Sequence, residues 1–128
     1  MVSYYPSLSG RVPFITAEVA PGINLIPAAG HTPGNLIVQI SSGNTKLICS
    51  SDVIQGHITS LQHPEWYSIF EMFPDERVRS RKNLLERAVS EDLFVMAYHV
   101  SFPAFAHISK NGKRYRWEPV TWSWNGWD

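Results

Sequence analysis

Short apolar runs bounded by Gly, Pro, Asn or Ser dominate the first half of the chain, and this pattern is typical of β-strands. The runs predict strands over Val12–Val19, Ile23–Ile26, Leu36–Ile40 and Lys46–Cys49. The residues Ser41–Thr45 have turn-forming composition and predict a hairpin between the last two strands. The first half therefore predicts β-strands, of which the last two form a hairpin.

The pattern changes at Pro74, where one long helix is predicted to begin and to run to Ser90. Proline suits the first helical position, and Asp75 and Glu76 suit the positive end of the helix dipole. The predicted apolar face of this helix consists of Val78, Leu85, Ala88 and Val89.

Three further strands are predicted after the helix. Leu93–Tyr98 reads as a buried strand that leads into His99, and Ala104–Ser109 pairs with Arg114–Val120 as a C-terminal hairpin. The Asn-Gly pair within Lys110–Lys113 suits a tight hairpin turn. With no internal repeat and no linker composition, residues 1–128 are predicted to form a single domain.

Two segments lack a clear periodicity. The stretch from Ser50 to Phe73 is predicted to be a long loop, and long loops in compact domains are often functional. The tail after Thr121 carries Trp122, Trp124 and Trp127, which we expect to pack across a groove or a subunit interface.

Composition excludes several classes of partner and location. The chain has 11 basic and 11 acidic residues, so its net charge of zero gives no basic surface for nucleic acid. Cys49 is the single cysteine, which excludes an internal disulfide and favours a reducing compartment. The sequence shows no signal peptide and no apolar run of membrane-spanning length, so we expect a cytoplasmic protein with no membrane partner.

Three residues that could carry chemistry follow predicted strands: His31 in the turn Gly30–Gly34, Asp52 after Lys46–Cys49, and His99 after Leu93–Tyr98. Taken singly, each has an ordinary structural interpretation. His31 could be an exposed turn residue, Asp52 a cap for the next segment, and His99 a hydrogen-bonded core residue.

Taken together, the GHTPG turn, the Ser51-Asp52-Val53 segment and the Tyr98-His99 pair resemble the metallo-β-lactamase superfamily. The similarity is greatest to the methyl parathion hydrolase and N-acyl-homoserine lactonase group and covers roughly residues 11–120. The resemblance implies that His31 binds one metal, His99 binds a second, and Asp52 bridges both as the catalytic carboxylate. Two imidazoles and a carboxylate suit zinc, manganese or iron, and a metal-bound hydroxide can attack a lactone, ester or phosphotriester.

The same resemblance also implies an incomplete site. Family members carry an H-x-H-x-D-H motif in their N-terminal half, and this sequence has none. Each metal would keep two protein ligands, whereas catalytic zinc normally has three, so bound metal is not assured. The implied function is a truncated metallohydrolase half-domain, incomplete or inactive as a lone chain.

Several residues depart from the family pattern or have weaker candidate roles. The family commonly has His at Asn35, which is not a metal ligand, and Gly around Ala104 and Ala106. His107 and His63 are interpreted as structural. Trp66, Tyr67 and Phe70 could line an apolar substrate pocket, although aromatic loop residues more often pack the loop down.

By resemblance, the fold class is α/β (α+β): the C-terminal half of the αββα metallo-β-lactamase sandwich, with one mixed sheet, one long helix and a C-terminal hairpin. One such half would leave its inner sheet face in water. We therefore expect a homodimer or a complementary N-terminal half as partner. The alternative function is a non-catalytic binding or structural module assembled in the same way.

Overall fold

The computed structural model describes residues 17–121, which form one seven-stranded sheet and one long helix. A 3₁₀ turn, Ser51–Val53, and a π-helical turn, His57–Gln62, lie between the fourth strand and the helix. The main elements, in chain order, are β1 (Ala17–Ala20), β2 (Ile23–Pro27), β3 (Leu36–Ser42), β4 (Thr45–Cys49), α1 (Pro74–Ser90), β5 (Phe94–Met96), β6 (Phe105–Asn111) and β7 (Arg114–Pro119).

The strands lie in the sheet in their order along the chain, from β1 to β7. Every neighbouring pair is antiparallel except β4 and β5, which are parallel. Parallel neighbours need a long crossover connection, and α1 lies within the connection that joins these two strands. The expectation of one mixed sheet, one long helix and a C-terminal hairpin is confirmed.

Helix α1 begins and ends at the residues that the sequence predicts. Its buried face differs from the predicted one, because only Leu85 and Ala88 of the predicted apolar set are fully buried. The other fully buried positions are Arg77, Arg81 and Leu84. Two arginines on the buried face of a helix need partners for their charge and N–H groups, and those partners lie near the candidate site.

The hydrophobic core lies between α1 and one face of the sheet. Ile37, Ile48 and Val95 point from three neighbouring strands toward Leu84, Leu85 and Ala88 of the helix. Since side chains alternate along a strand, the residues beside these three point to the opposite face.

That opposite face of the central strands is also apolar. It carries Leu36, Val38 and Ile40 of β3, Leu47 and Cys49 of β4, and Phe94 and Met96 of β5. Leu36, Ile40 and Met96 are each about two-fifths exposed. We call this surface the open sheet face.

Several predicted boundaries change. The strand expected over Leu93–Tyr98 contains only Phe94–Met96, because the Ala104 N–H donates to the Ser101 carbonyl and does not return a bond to Ala97. The segment expected to be one long loop after Ser50 contains the 3₁₀ and π-helical turns. The first residues of the predicted Val12–Val19 strand, and Trp122, Trp124 and Trp127, lie outside the described range. Within that range, no helix combines the length and apolarity needed to cross a membrane.

Candidate functional site

Strand direction explains why the three predicted residues lie at the same edge of the sheet. β2 and β4 are both antiparallel to β3, so they run in the same direction, and β5 is parallel to β4. The carboxyl ends of β2, β4 and β5 therefore lie at the same edge. His31, Asp52 and His99 each follow one of these ends.

Asp52 and His99 are in direct contact. The Asp52 Oδ1 atom lies 3.0 Å from His99 Nε2, and the Tyr98 hydroxyl donates a hydrogen bond of 3.0 Å to Asp52 Oδ2. Partial burial acts to raise the pKa of Asp52, but the hydrogen bonds from His99 and Tyr98, together with the nearby charge of His31, outweigh it. The pKa of Asp52 is therefore lowered, and this edge carries a carboxylate anion.

The backbone under Asp52 is held by a side-chain link to the His31 loop. Ser51 has a φ of 51°, an uncommon conformation for a residue other than glycine. Its hydroxyl donates a hydrogen bond of 2.8 Å to Asn35 Oδ1, and the buried Asn35 amide donates to the Ala28 carbonyl at 3.0 Å. Asn35 thus ties the segment before His31 to the turn that carries Asp52.

His31 is held from its other side by a buried ion pair. Its Nδ1 atom lies 3.1 Å from Glu71 Oε2, and Arg77 Nη1 donates to the same oxygen at 2.5 Å. The side chains of Glu71 and Arg77 are each 1% exposed. The backbones also join, because Phe73 N–H donates to the Gly30 carbonyl and Met72 N–H to the His31 carbonyl.

Sequence reasoning missed Glu71, Arg77 and Tyr98. The spacing of Arg77 gave a usable signal, since Arg77, Arg81, Leu84, Leu85 and Ala88 share one helical face with period 3.6. Two arginines on this buried face predict that hydrogen-bond acceptors are buried close to them. Glu71 gave no comparable signal, because it lies in a segment without periodicity.

The residues with weaker candidate roles contact other side chains or are exposed. His63 stacks on Trp66 with ring centroids 3.9 Å apart, and His107 packs on Phe94 at 4.2 Å. Trp66, Tyr67 and Phe70 are 50%, 62% and 79% exposed. The structure therefore shows these three aromatic residues as exposed side chains of the loop and does not enclose them in a pocket.

A hollow of about 260 Å³ lies away from the three predicted residues. Its lining includes Lys82, Glu86, Lys110 and Tyr115, and both the Lys110 ammonium and the Tyr115 hydroxyl contact the Glu86 carboxylate. Because Lys110 and Tyr115 are already paired with Glu86, we do not treat this hollow as a second candidate centre.

The donor set at the sheet edge is suitable in type but short in number for a metal ion. His31, Asp52 and His99 offer nitrogen and carboxylate oxygen donors, which zinc prefers. Within residues 17–121, however, no group of three or more His, Cys, Asp or Glu side chains is arranged to hold a metal. The residues of this part of the chain alone do not fit a resident metal.

Several solved structures have a fold similar to that of this chain. The dizinc quorum-quenching lactonase AidC, in complex with a product, matches 84% of this chain with a TM-score of 0.78 and 26% identity. The hydrolase AbOPH of the beta lactamase superfamily matches 84% with a TM-score of 0.78 and 24% identity. A probable metal-dependent hydrolase from Staphylococcus aureus matches 83% with a TM-score of 0.66 and 20% identity. No protein-family model matches the sequence, and no curated protein matches it.

These neighbours show the fold of the chain. The chain has the metallo-β-lactamase fold as a partial domain, which confirms the recognition made from the sequence. It spans only 36%, 38% and 39% of the lengths of the three proteins.

Proposed function

We propose that this chain supplies one side of the active site of a metal-dependent hydrolase of the metallo-β-lactamase type. Its substrates would be lactones, esters or phosphotriesters. The observation that carries the proposal is the convergence of His31, Asp52 and His99 at one sheet edge, with Asp52 held as an anion by its neighbours.

Each residue has a proposed role. His31 and His99 would hold metal through their ring nitrogens and Asp52 through its carboxylate, together with further ligands from outside this part of the chain. The preferred metal is zinc, with manganese or iron as alternatives, and the bound metal would supply a hydroxide nucleophile at neutral pH. The AidC structure supports this choice because that neighbour is a dizinc lactonase.

The remaining ligands would come from a second polypeptide segment that covers the open sheet face. The chain spans less than two-fifths of each of the three neighbours described above, so most of their length has no counterpart here. Leu36, Ile40 and Met96 leave apolar area in water, which a packed partner would remove. We propose a complementary N-terminal half as that partner and the cytoplasm as its location.

The test is the metal content per chain of protein purified from the cells that make it, without chelator or metal-affinity resin. Near-stoichiometric zinc, manganese or iron is expected. Asp52→Ala should lose both the metal and any hydrolysis of lactones, whereas Asp75→Ala, which removes an exposed carboxylate at the start of α1, should retain both. Metal at trace level in the unmodified protein would contradict the proposal.

A non-catalytic module is the second candidate function. It is favoured by the short donor set and by the open sheet face, which two copies of this chain could bury against each other as a twofold dimer. Light scattering of the isolated chain at micromolar concentration distinguishes the two candidate functions. A dimer without metal would favour the module, and a monomer that gains mass only with another polypeptide would favour the divided hydrolase.

A further inference from the structure

We infer that Glu71, held by Arg77, is a positioning residue that fixes which nitrogen of His31 carries the ring hydrogen. The carboxylate accepts a hydrogen bond from Nδ1–H, which leaves the lone pair on Nε2. This inference rests on the proposed function for its purpose, because Nε2 is then the nitrogen available to a metal.

The first step is the role of the Glu71 Oε2 atom. The Glu71 side chain is 1% exposed, and Arg77 Nη1 donates a hydrogen bond of 2.5 Å to Oε2. Because guanidinium nitrogens carry hydrogens and have no acceptor site, Oε2 is the acceptor in this pair.

The second step follows from the contact with His31. Since Glu71 Oε2 can only accept, the 3.1 Å contact requires a hydrogen on His31 Nδ1. In a neutral imidazole the other nitrogen then carries the lone pair. The carboxylate thus selects one tautomer of the ring.

The third step is that this arrangement is held on several sides. The Phe73 N–H donates to the Gly30 carbonyl at 2.9 Å, which fixes the loop of Glu71 against the loop of His31. Ser68 donates to Glu71 Oε1 at 3.4 Å. Within the described residues, Nε and Nη2 of Arg77 are buried without a hydrogen-bond acceptor. Glu71 is therefore the one carboxylate to which this guanidinium donates a hydrogen bond.

Carboxylate partners of metal-binding histidines act in this way elsewhere, by fixing the tautomer and the ring orientation. The direct readout here is the tautomer of His31 in the metal-free full chain, from long-range ¹H–¹⁵N NMR at pH 8. The ring signals are assigned by comparison with His31→Gln. We expect hydrogen on Nδ1 and a pyridine-type nitrogen at Nε2, and a hydrogen on Nε2 in the unmodified chain would overturn the inference without any variant.

The matched variants separate positioning from folding. Removing one partner alone would leave a buried charge, so the test variant is the double replacement Glu71→Leu with Arg77→Met, which exchanges the ion pair for apolar groups of similar size. The control is Glu91→Gln with Arg87→Met, a glutamate–arginine pair on the exposed end of the same helix. We expect the tautomer of His31 to change in the first and to stay in the second. An unchanged tautomer in the first would overturn the inference.

The proposed function is tested separately, by the metal content of the protein purified from the cells that make it. If that metal is absent, the proposed function fails, while the tautomer measurement still decides the role of Glu71.

Discussion

Gly30 lies against the backbone of Arg77 so closely that a Cβ atom on Gly30 would fall 2.2 Å from the Arg77 Cα. The φ angle of Gly30 is also +141°, a value that other residues rarely adopt. This contact lets the loop before His31 reach the first turn of α1. It therefore sets the distance between His31 and the buried pair of Glu71 and Arg77.

Gly30→Ala is expected to destabilise the fold severely. The added methyl group meets main-chain atoms that cannot move without shifting α1, and the strained φ adds to the loss, for a total of about 3 to 5 kcal/mol. Gly34→Ala, in the same turn, meets nothing within 4 Å and should change stability by less than about 0.5 kcal/mol. Urea unfolding followed by tryptophan fluorescence measures both, and equal effects would contradict this account of the turn.

Ala104 and Ala106 are predicted to respond in opposite ways to glycine. Ala104 has a φ of 58°, where an alanine is strained by about 1 to 2 kcal/mol, so Ala104→Gly should stabilise the chain by about 0.5 to 1 kcal/mol after the added chain entropy. Ala106 is fully buried in β6, so Ala106→Gly should destabilise it by about 1.5 kcal/mol. Chemical denaturation tests the signs, and a loss of stability in Ala104→Gly would refute the strain.

The sequence predicts the sheet better than it predicts the turns around the site. The strands and α1 follow from periodic burial, which local sequence records. The φ of Ala104 and the early end of β5 belong instead to the loop between Ala97 and Ala104, where the Ala104 N–H donates to the Ser101 carbonyl. Contacts of that kind depend on the chain returning to the same place and have no periodic signature.

The residues of the candidate site also differ in how far the sequence could indicate them. His31, Asp52 and His99 could be proposed from sequence because each follows an apolar strand and because the turn before β3 is distinctive, and their role as metal ligands stays a prediction. Glu71 could not, since its role depends on the fold bringing a loop against His31. Its partner Arg77 lay on the predicted helix, at a spacing from Leu84, Leu85 and Ala88 that could have indicated its burial.

Arg81 is predicted to be essential for the loop between the π-helical turn and Trp66. Its guanidinium donates to the carbonyls of Val53, Pro64 and Trp66 at 3.1, 3.2 and 2.5 Å. Burial, aided by repulsion from Arg77, lowers the pKa of Arg81 to about 10, so the side chain remains charged at neutral pH.

Arg81→Met should therefore lower the free energy of unfolding by about 2 to 4 kcal/mol, because buried carbonyls lose their donors. Hydrogen exchange at the amides of His63 and Trp66 should also become faster. Arg79→Met changes an exposed arginine on the same helix and should alter neither quantity. Unchanged exchange at these amides in Arg81→Met would show that the loop is held by other contacts.

Glu91, just after α1, is predicted to make stability depend on acid pH. Arg87 donates to its carboxylate at 2.8 Å and Lys46 at 3.3 Å, and these contacts outweigh partial burial, so the pKa of Glu91 is lowered. A carboxylate with a lowered folded-state pKa contributes stability that is fully present above its unfolded-state pKa. That contribution is lost as the pH falls through the lower, folded-state value.

Glu91→Gln should accordingly be less stable than the unmodified chain at pH 7, by about 0.5 kcal/mol because the pair is partly exposed. The difference should shrink as the pH is lowered from 7 to 3, because protonation of the folded-state glutamate removes this contribution, and it should shrink at pH 7 in about 1 M salt, which screens the charges. Urea unfolding of both proteins at the two pH values measures it. A difference that persists or grows at pH 3 would mean that Glu91 stabilises the end of α1 through packing and not through its charge.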